Sequence, residues 1–141
     1  MLDKRQKIIG RKSGYRFVML RHDILEHPNY INLSAMAKVL LTELLFQFNG
    51  ANNGDLCVAQ SILIKRGWTS KDVIQRAKTA LLQKGWIVVT RQGGLNMGPI
   101  LYALTFLPID YCGGKLDRRK TEKPLNYWKQ GCNPEITSTT P

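Results

Sequence analysis

Residues 58–85, VAQSILIKRGWTSKDVIQRAKTALLQKG, decide how the chain is read. They divide into a short helix over 59–66 with Ile62 and Leu63 turned inward, a tight turn at Gly67, and a longer helix over 69–84. Glycine suits the turn because it takes positive φ without a Cβ clash. Trp68 is expected to pack between the two helices. Thr69 is the expected cap of the second helix, and Asp72 completes a capping box in which Asp replaces the usual Glu or Gln. Val73, Ala77, Ala80 and Leu81 recur at helical spacing as an inner stripe, which turns Ser70, Lys71, Gln75, Arg76, Lys78 and Thr79 outward.

That outer set consists of hydrogen-bond donors. Lysine and arginine neutralise phosphate or reach guanine O6 and N7, glutamine pairs bidentately with adenine, and a hydroxyl near a helix start bonds phosphate beside free N–H groups. Ser70, Lys71, Gln75 and Arg76 are therefore the candidate base readers, with Thr69, Lys78 and Thr79 as candidates for the DNA backbone. The plain alternative is a solvated basic face.

Downstream, Gly85 ends the helix and 86–90, WIVVT, begins a strand. Residues 91–99, RQGGLNMGP, hold three glycines and turn the chain, and 100–107, ILYALTFL, return it as a β-hairpin. Arg91 and Gln92 at the hairpin root and Asn96 near its tip join the backbone candidates. GGLNMG is not a phosphate loop, since it lacks the G-K-[ST] ending and a following helix.

Upstream lies 33–50, LSAMAKVLLTELLFQFNG, the expected core helix. Ser34 is its N-cap, Gly50 its C′ residue, and Met36, Val39, Leu40, Leu44 and Phe48 its apolar face, widened by Leu41, Leu45 and Phe46. The turn formers of 49–55, NGANNGD, lead to a stub strand over 56–58. Before the helix, 15–20, YRFVML, reads as a short strand or an extended lead-in, and 21–30, RHDILEHPNY, as a helical turn stopped by Pro28. His22 and His27 lie five apart, off one helical face, and read as surface or capping residues.

The two ends complete the expected organisation: a flexible basic arm over 1–14, an α+β domain of three helices and a hairpin over 15–108, and a low-order basic tail over 109–141. Lys4, Arg5, Lys7, Arg11 and Lys12 of the arm either follow phosphates and the minor groove or are simply solvated. In the tail, LDRRKTEK offers further phosphate contacts, and Tyr127 with Trp128 docks either on the domain or on a partner protein.

Lys and Arg total 21 against 10 acidic residues, a net charge of +11, which points to a polyanionic partner. The charge is clustered. Residues 1–21 and 65–91 each carry seven basic side chains and one acidic, whereas 22–64 carry one and four. Cys57, Cys112 and Cys132 have neither disulfide-framework nor zinc spacing, so no metal or other cofactor is expected and a reduced compartment, the bacterial cytoplasm or nucleoid, is. No apolar run reaches the ~18 residues of a membrane span. Paired carboxylates, a nucleophile triad and a nucleotide loop are all missing, which argues against an enzyme.

Over 16–107 the chain resembles a winged helix-turn-helix family common in bacterial and prophage genomes. The stretches that carry the likeness are FVMLRHDILEHPNYINLSAMAKVLLTELLFQFNGANNG and GWTSKDVIQRAKTALLQKGWIVVTRQGG. The arrangement is similar also to the origin-binding N-terminal domain of lambdoid phage replication proteins. The resemblance implies a double-stranded DNA-binding protein whose helix 69–84 enters the major groove with Ser70, Lys71, Gln75 and Arg76. It departs at Ile74, where a small residue is usual. Three roles follow as expectations: a phage or plasmid transcriptional regulator, a replication initiator that recruits a protein through its tail, and a protein-binding module anchored by Ile74, Tyr127 and Trp128.

Overall fold

Leucines 40, 41, 44 and 45 exclude water from more than one side of the helix that Ser34 opens, and the other elements pack around them. The computed structural model describes residues 14–137. Among these, the elements are α1 His22–Leu25, α2 Pro28–Ile31, α3 Ala35–Gln47, α4 Gln60–Ile64, α5 Lys71–Gln83, β1 Ile87–Arg91, β2 Leu101–Leu104 and α6 Pro134–Thr137, with single 3-10 turns at Cys112–Gly114 and Tyr127–Lys129. The result is a mixed α+β arrangement with one antiparallel hairpin. The expected arm, and with it Lys4, Arg5, Lys7, Arg11 and Lys12, lies outside the described residues but for Gly14.

Ser34 caps α3 as its sequence suggests, its hydroxyl accepting the Ala37 N–H at 3.1 Å. Ala37, Leu40, Leu41, Leu44 and Leu45 are the buried set, whereas Met36 and Val39, expected inside, are exposed along with Phe46. The helix also stops earlier, at Gln47, because the asparagine loop takes over its end. Asn52 donates its amide to the Gln47 carbonyl at 3.0 Å and accepts the Asn49 N–H at 2.8 Å.

Of the two readings for residues 15–20, the strand is not formed, since the sheet offers no partner, and the lead-in is: Tyr15 is 76 % exposed while Leu20 packs against the core. The helical turn α1 ends before Pro28, as expected, but Pro28 also starts a helix of its own. At the first helical position its missing N–H costs nothing, and His27 before it is extended, as a residue preceding proline prefers. His27 is a cap, its Nδ1 accepting the Asn29 N–H at 3.0 Å.

In the hairpin, Ile87 pairs with Leu104, Val88 with Ala103 and Val89 with Tyr102, and a bulge brings Arg91 opposite Leu101. Leu56 extends the sheet by one bridge, exchanging backbone hydrogen bonds with Tyr102 at 3.2 and 2.8 Å. The buried Asn53 locks the loop before it. Its amide donates to the carbonyls of Leu104, Leu107 and Pro108, and its Oδ1 accepts the Leu104 N–H. One face of the hairpin joins the helical core through Ile87, Tyr102 and Leu104.

The other face carries the largest departure from the sequence reading, for residues 109–137, the described part of the segment expected to be a low-order tail, are packed there. Val88 and Ala103 are buried with Ile109 against Leu116, Leu125 and Tyr127. Backbone hydrogen bonds run from Asp117 to Thr90 at 2.8 Å, Asn126 to Thr105 at 2.7 Å and Asn133 to Gln83 at 3.1 Å. Trp128 is 1 % exposed and stacks on Trp86 at 5.4 Å, with His27 edge-on to it at 5.1 Å. The strap passes so close that a Cβ on Gly85, already at φ +83°, would lie 2.7 Å from the Cys132 carbonyl oxygen. Glycine is required there for space as well as for conformation.

Truncating a buried tryptophan costs about 3–5 kcal/mol. Trp128→Ala is therefore expected to lower the urea midpoint by a corresponding amount, whereas a solvated tail would leave it unchanged. A second expectation concerns acid. Burial pushes the Glu135 carboxyl up, but hydrogen bonds and charge from Arg118, then Tyr127, more than offset this and hold it below its ordinary value. A depressed carboxylate stabilises the fold above its unfolded value and ceases to do so as pH falls through the folded one. Stability followed by tryptophan fluorescence should thus decline from about pH 4.3 downward, and less steeply in Glu135→Gln.

Candidate nucleic-acid interface

The geometry of α5 follows from its two ends and one buried stripe. At its start, Gly67 turns the chain at φ +97° and Trp68 is buried against the core. Glu43 of α3 holds this turn from below: one carboxylate oxygen accepts the Arg66 Nε–H at 2.9 Å, the other the Trp68 indole N–H at 3.4 Å. Arg66 in turn lies over the Phe46 ring at 4.0 Å. At the far end, Asn133 of the strap donates its backbone N–H to Gln83 and its side chain to the Ile87 carbonyl. Both ends are therefore tied to elements distant in sequence.

The cap is one residue later than the sequence suggests. Ser70 is extended, and its hydroxyl accepts the Val73 N–H at 3.3 Å; Thr69 is exposed and outside the helix. Asp72 consequently closes no capping box and instead pairs with Arg76 at 2.8 Å. This moves Ser70 from the candidate readers to the helix scaffold. The short helix before the turn is also trimmed to Gln60–Ile64, with Leu63 inside but Ile62 exposed.

Ile74, the apolar residue that the outer face did not need, is 5 % exposed and belongs to the core with Ala77 and Leu81. The inner stripe is thus rotated from the expected one, leaving Val73 and Ala80 at its half-buried edges. Lys71, Gln75 and Arg76 remain exposed on the opposite side, whereas Lys78 and Thr79 are half-buried on its flank. Arg76 and Asp72 expose 73 % and 76 % of their side chains, so the pair is surrounded by water. Such a pair contributes only ~0.3–0.5 kcal/mol, and Arg76 can exchange it for another anion at little cost.

The hairpin candidates behave differently from one another. Arg91 is half-buried, with Nη2 donating to the Pro99 carbonyl at 3.3 Å and Nε buried without an acceptor among the described residues. Gln92 is exposed, and its backbone N–H donates to Asp117 of the strap at 2.9 Å. Asn96 sits in the exposed tip at φ +63°. The clamp residue Glu43 and the two asparagines, Asn29 and Asn133, were not singled out in the sequence. Their hydrogen bonds span up to 99 positions, as in Asn29 to the Trp128 carbonyl, and no local pattern marks them.

Among the described residues no group of His, Cys, Asp and Glu is arranged to hold a metal ion, and no helix is long and apolar enough to cross a membrane. Comparison of the chain with protein-family models, with curated proteins and with solved structures returned no match.

An N-cap hydroxyl stabilises its helix by ~1 kcal/mol. Ser70→Ala should therefore lower thermal stability measurably, while Thr69→Ala stays within about 0.5 kcal/mol of the parent, as exposed substitutions do. The reverse order would restore the capping box read from the sequence.

Proposed function

We propose that this chain is a sequence-specific double-stranded DNA-binding protein of winged-helix type, acting as a transcriptional regulator in the cytoplasm or nucleoid of a bacterial or phage system. The observation that carries the reading is the exposed edge of Lys71, Gln75 and Arg76 on a 13-residue helix whose opposite edge, Ile74, Ala77 and Leu81, is fixed in the core. A major groove admits such a helix, and these side chains match its chemistry: Gln75 suits adenine N6 and N7, Arg76 suits guanine O6 and N7, and Lys71 in the first turn suits phosphate. The hairpin loop with Asn96, and the basic residues 4–12, then reach the flanking backbone. The net charge of +11 supplies the long-range attraction that a polyphosphate partner rewards.

The packing of the strap favours the regulator over the other two roles. A replication initiator that recruits its partner through a free tail needs residues that are here folded onto the hairpin. A protein-binding module anchored by Ile74 and Trp128 needs two side chains that are 5 % and 1 % exposed.

Selection of bound duplexes from a random pool at physiological salt is expected to return a defined site. On that site Arg76→Ala should weaken binding about tenfold or more and relax preference at one base pair, since a bidentate contact is worth ~1–3 kcal/mol of discrimination. Equal weakening on every sequence would leave Arg76 as a phosphate contact, and absence of any bound duplex would overturn the reading.

A further inference from the structure

The segment 117–121 is pinned at both ends. Asp117 donates its backbone N–H to Thr90 at 2.8 Å and accepts the Gln92 N–H on its carboxylate at 2.9 Å, which fixes it to the hairpin root. Four residues on, Thr121 donates its N–H to the Ile109 carbonyl and accepts the Ile109 N–H on its hydroxyl, both at 2.9 Å. Between the pins, Arg118 turns inward, bonding the Val89 carbonyl at 3.1 Å and pairing with Glu135 at 2.9 Å. Arg119 and Lys120 are both exposed, and neither has an ion pair or hydrogen bond among the described residues.

The contrast with neighbouring cations is what makes these two informative. Lys115 is held by Asp55 and Arg118 by Glu135, while the Asp117 carboxylate is engaged by Gln92. Two of the flanking cations are therefore paired, and Arg119 and Lys120 are left without an ion pair between the two pinned residues, as is Lys123 beyond them. Arg119 and Lys120 lie two to three residues along the chain from Asp117, whose carboxylate accepts the Gln92 N–H at the hairpin root. A loop pinned on either side of an exposed arginine and lysine needs little backbone ordering for them to receive phosphate oxygens, the guanidinium as a fork and the ammonium as a point charge.

We propose that Arg119 and Lys120 form a phosphate clamp at the hairpin root, gripping the backbone of the duplex whose major groove α5 enters. The clamp rests on the DNA-binding reading above. It adds an attachment that owes nothing to the helix: α5 reads bases, and the strap, folded onto the far face of the hairpin, holds the backbone beside it. Each phosphate neutralised by such a contact adds ~0.9 to the slope of log K against log salt on duplex DNA.

The test is a salt titration of the full-length protein on a labelled mixed-sequence duplex, comparing the parent with Arg119→Ala/Lys120→Ala and with a control, Lys38→Ala/Lys129→Ala. The control removes the same charge from cations that lie over the Tyr30 and Trp128 rings instead. The expected result is a slope reduced by about 1.8 for the clamp variant, with an unchanged thermal melt and a control close to the parent. If the clamp variant keeps the parent slope, or the control loses as much, the clamp is overturned while the DNA-binding reading stands. If the parent itself binds no duplex even at low salt, both fall together.

Discussion

The stacking of Trp86 on Trp128 joins parts of the chain that otherwise have no reason to meet. Trp86 follows the Gly85 turn at the end of α5, and Trp128 lies more than forty residues later in a segment rich in charge. Their rings sit 5.4 Å apart at 17°, and Tyr30 and Phe106 close on Trp86 at 6.2 Å each. Stacked and edge-on pairs add ~0.5–1.5 kcal/mol each beyond the area they bury. The Trp86 indole N–H finds no acceptor among the described residues, a cost of ~1–3 kcal/mol that this cluster must more than offset. The position of α2 depends on the same cluster, since the Asn29 amide bridges the Lys84 and Trp128 carbonyls at 2.9 Å each.

Once Trp128 is seated, the hairpin is covered on both faces. A two-stranded hairpin alone is marginal in water. Here Ile87, Tyr102 and Leu104 face the helices while Val88 and Ala103 face the strap. The strap then continues to Asn133, whose bonds to Gln83 and Ile87 fix the exit of α5, while Glu43 fixes its entry through Arg66 and Trp68. A helix held at both ends presents its outer edge in one orientation, which is what discrimination between base pairs requires.

The sequence made much of this frame legible. Ser34, Gly67, the buried Trp68, the leucine-rich helix and the order of helix, hairpin strand and return strand can be read from local chemistry and are found. The misreadings on α5 share one cause. Thr69 and Ser70 are both good caps, and Val73 and Ile74 both apolar, so a shift of one residue reassigns the cap and rotates the face; only packing against α3 selects Ile74. The strap was illegible because its binding is not apolar in bulk. Ile109, Leu116, Leu125 and Trp128 are sparse along it, and the remaining attachment is by backbone and by Asn, Asp and Thr side chains to partners far off in sequence.

The distribution of acids carries the functional argument one step further. Asp23, Glu43, Asp55, Asp72 and Glu135 each take one arginine or lysine; three of these five pairs tie down a turn or the strap, and Arg21 with Asp23 is a local pair at the start of α1. The fifth, Asp72 with Arg76, is the most solvated of the five and so the most easily exchanged. Acid is thus spent where the fold needs a cation held still. Lys71, Arg119 and Lys120 carry no ion pair, a state they share with Lys65, Lys84 and Lys123 among the described residues; what sets the three apart is the backbone beneath them, held at the Ser70 cap for Lys71 and by the bonds of Asp117 and Thr121 for the other two.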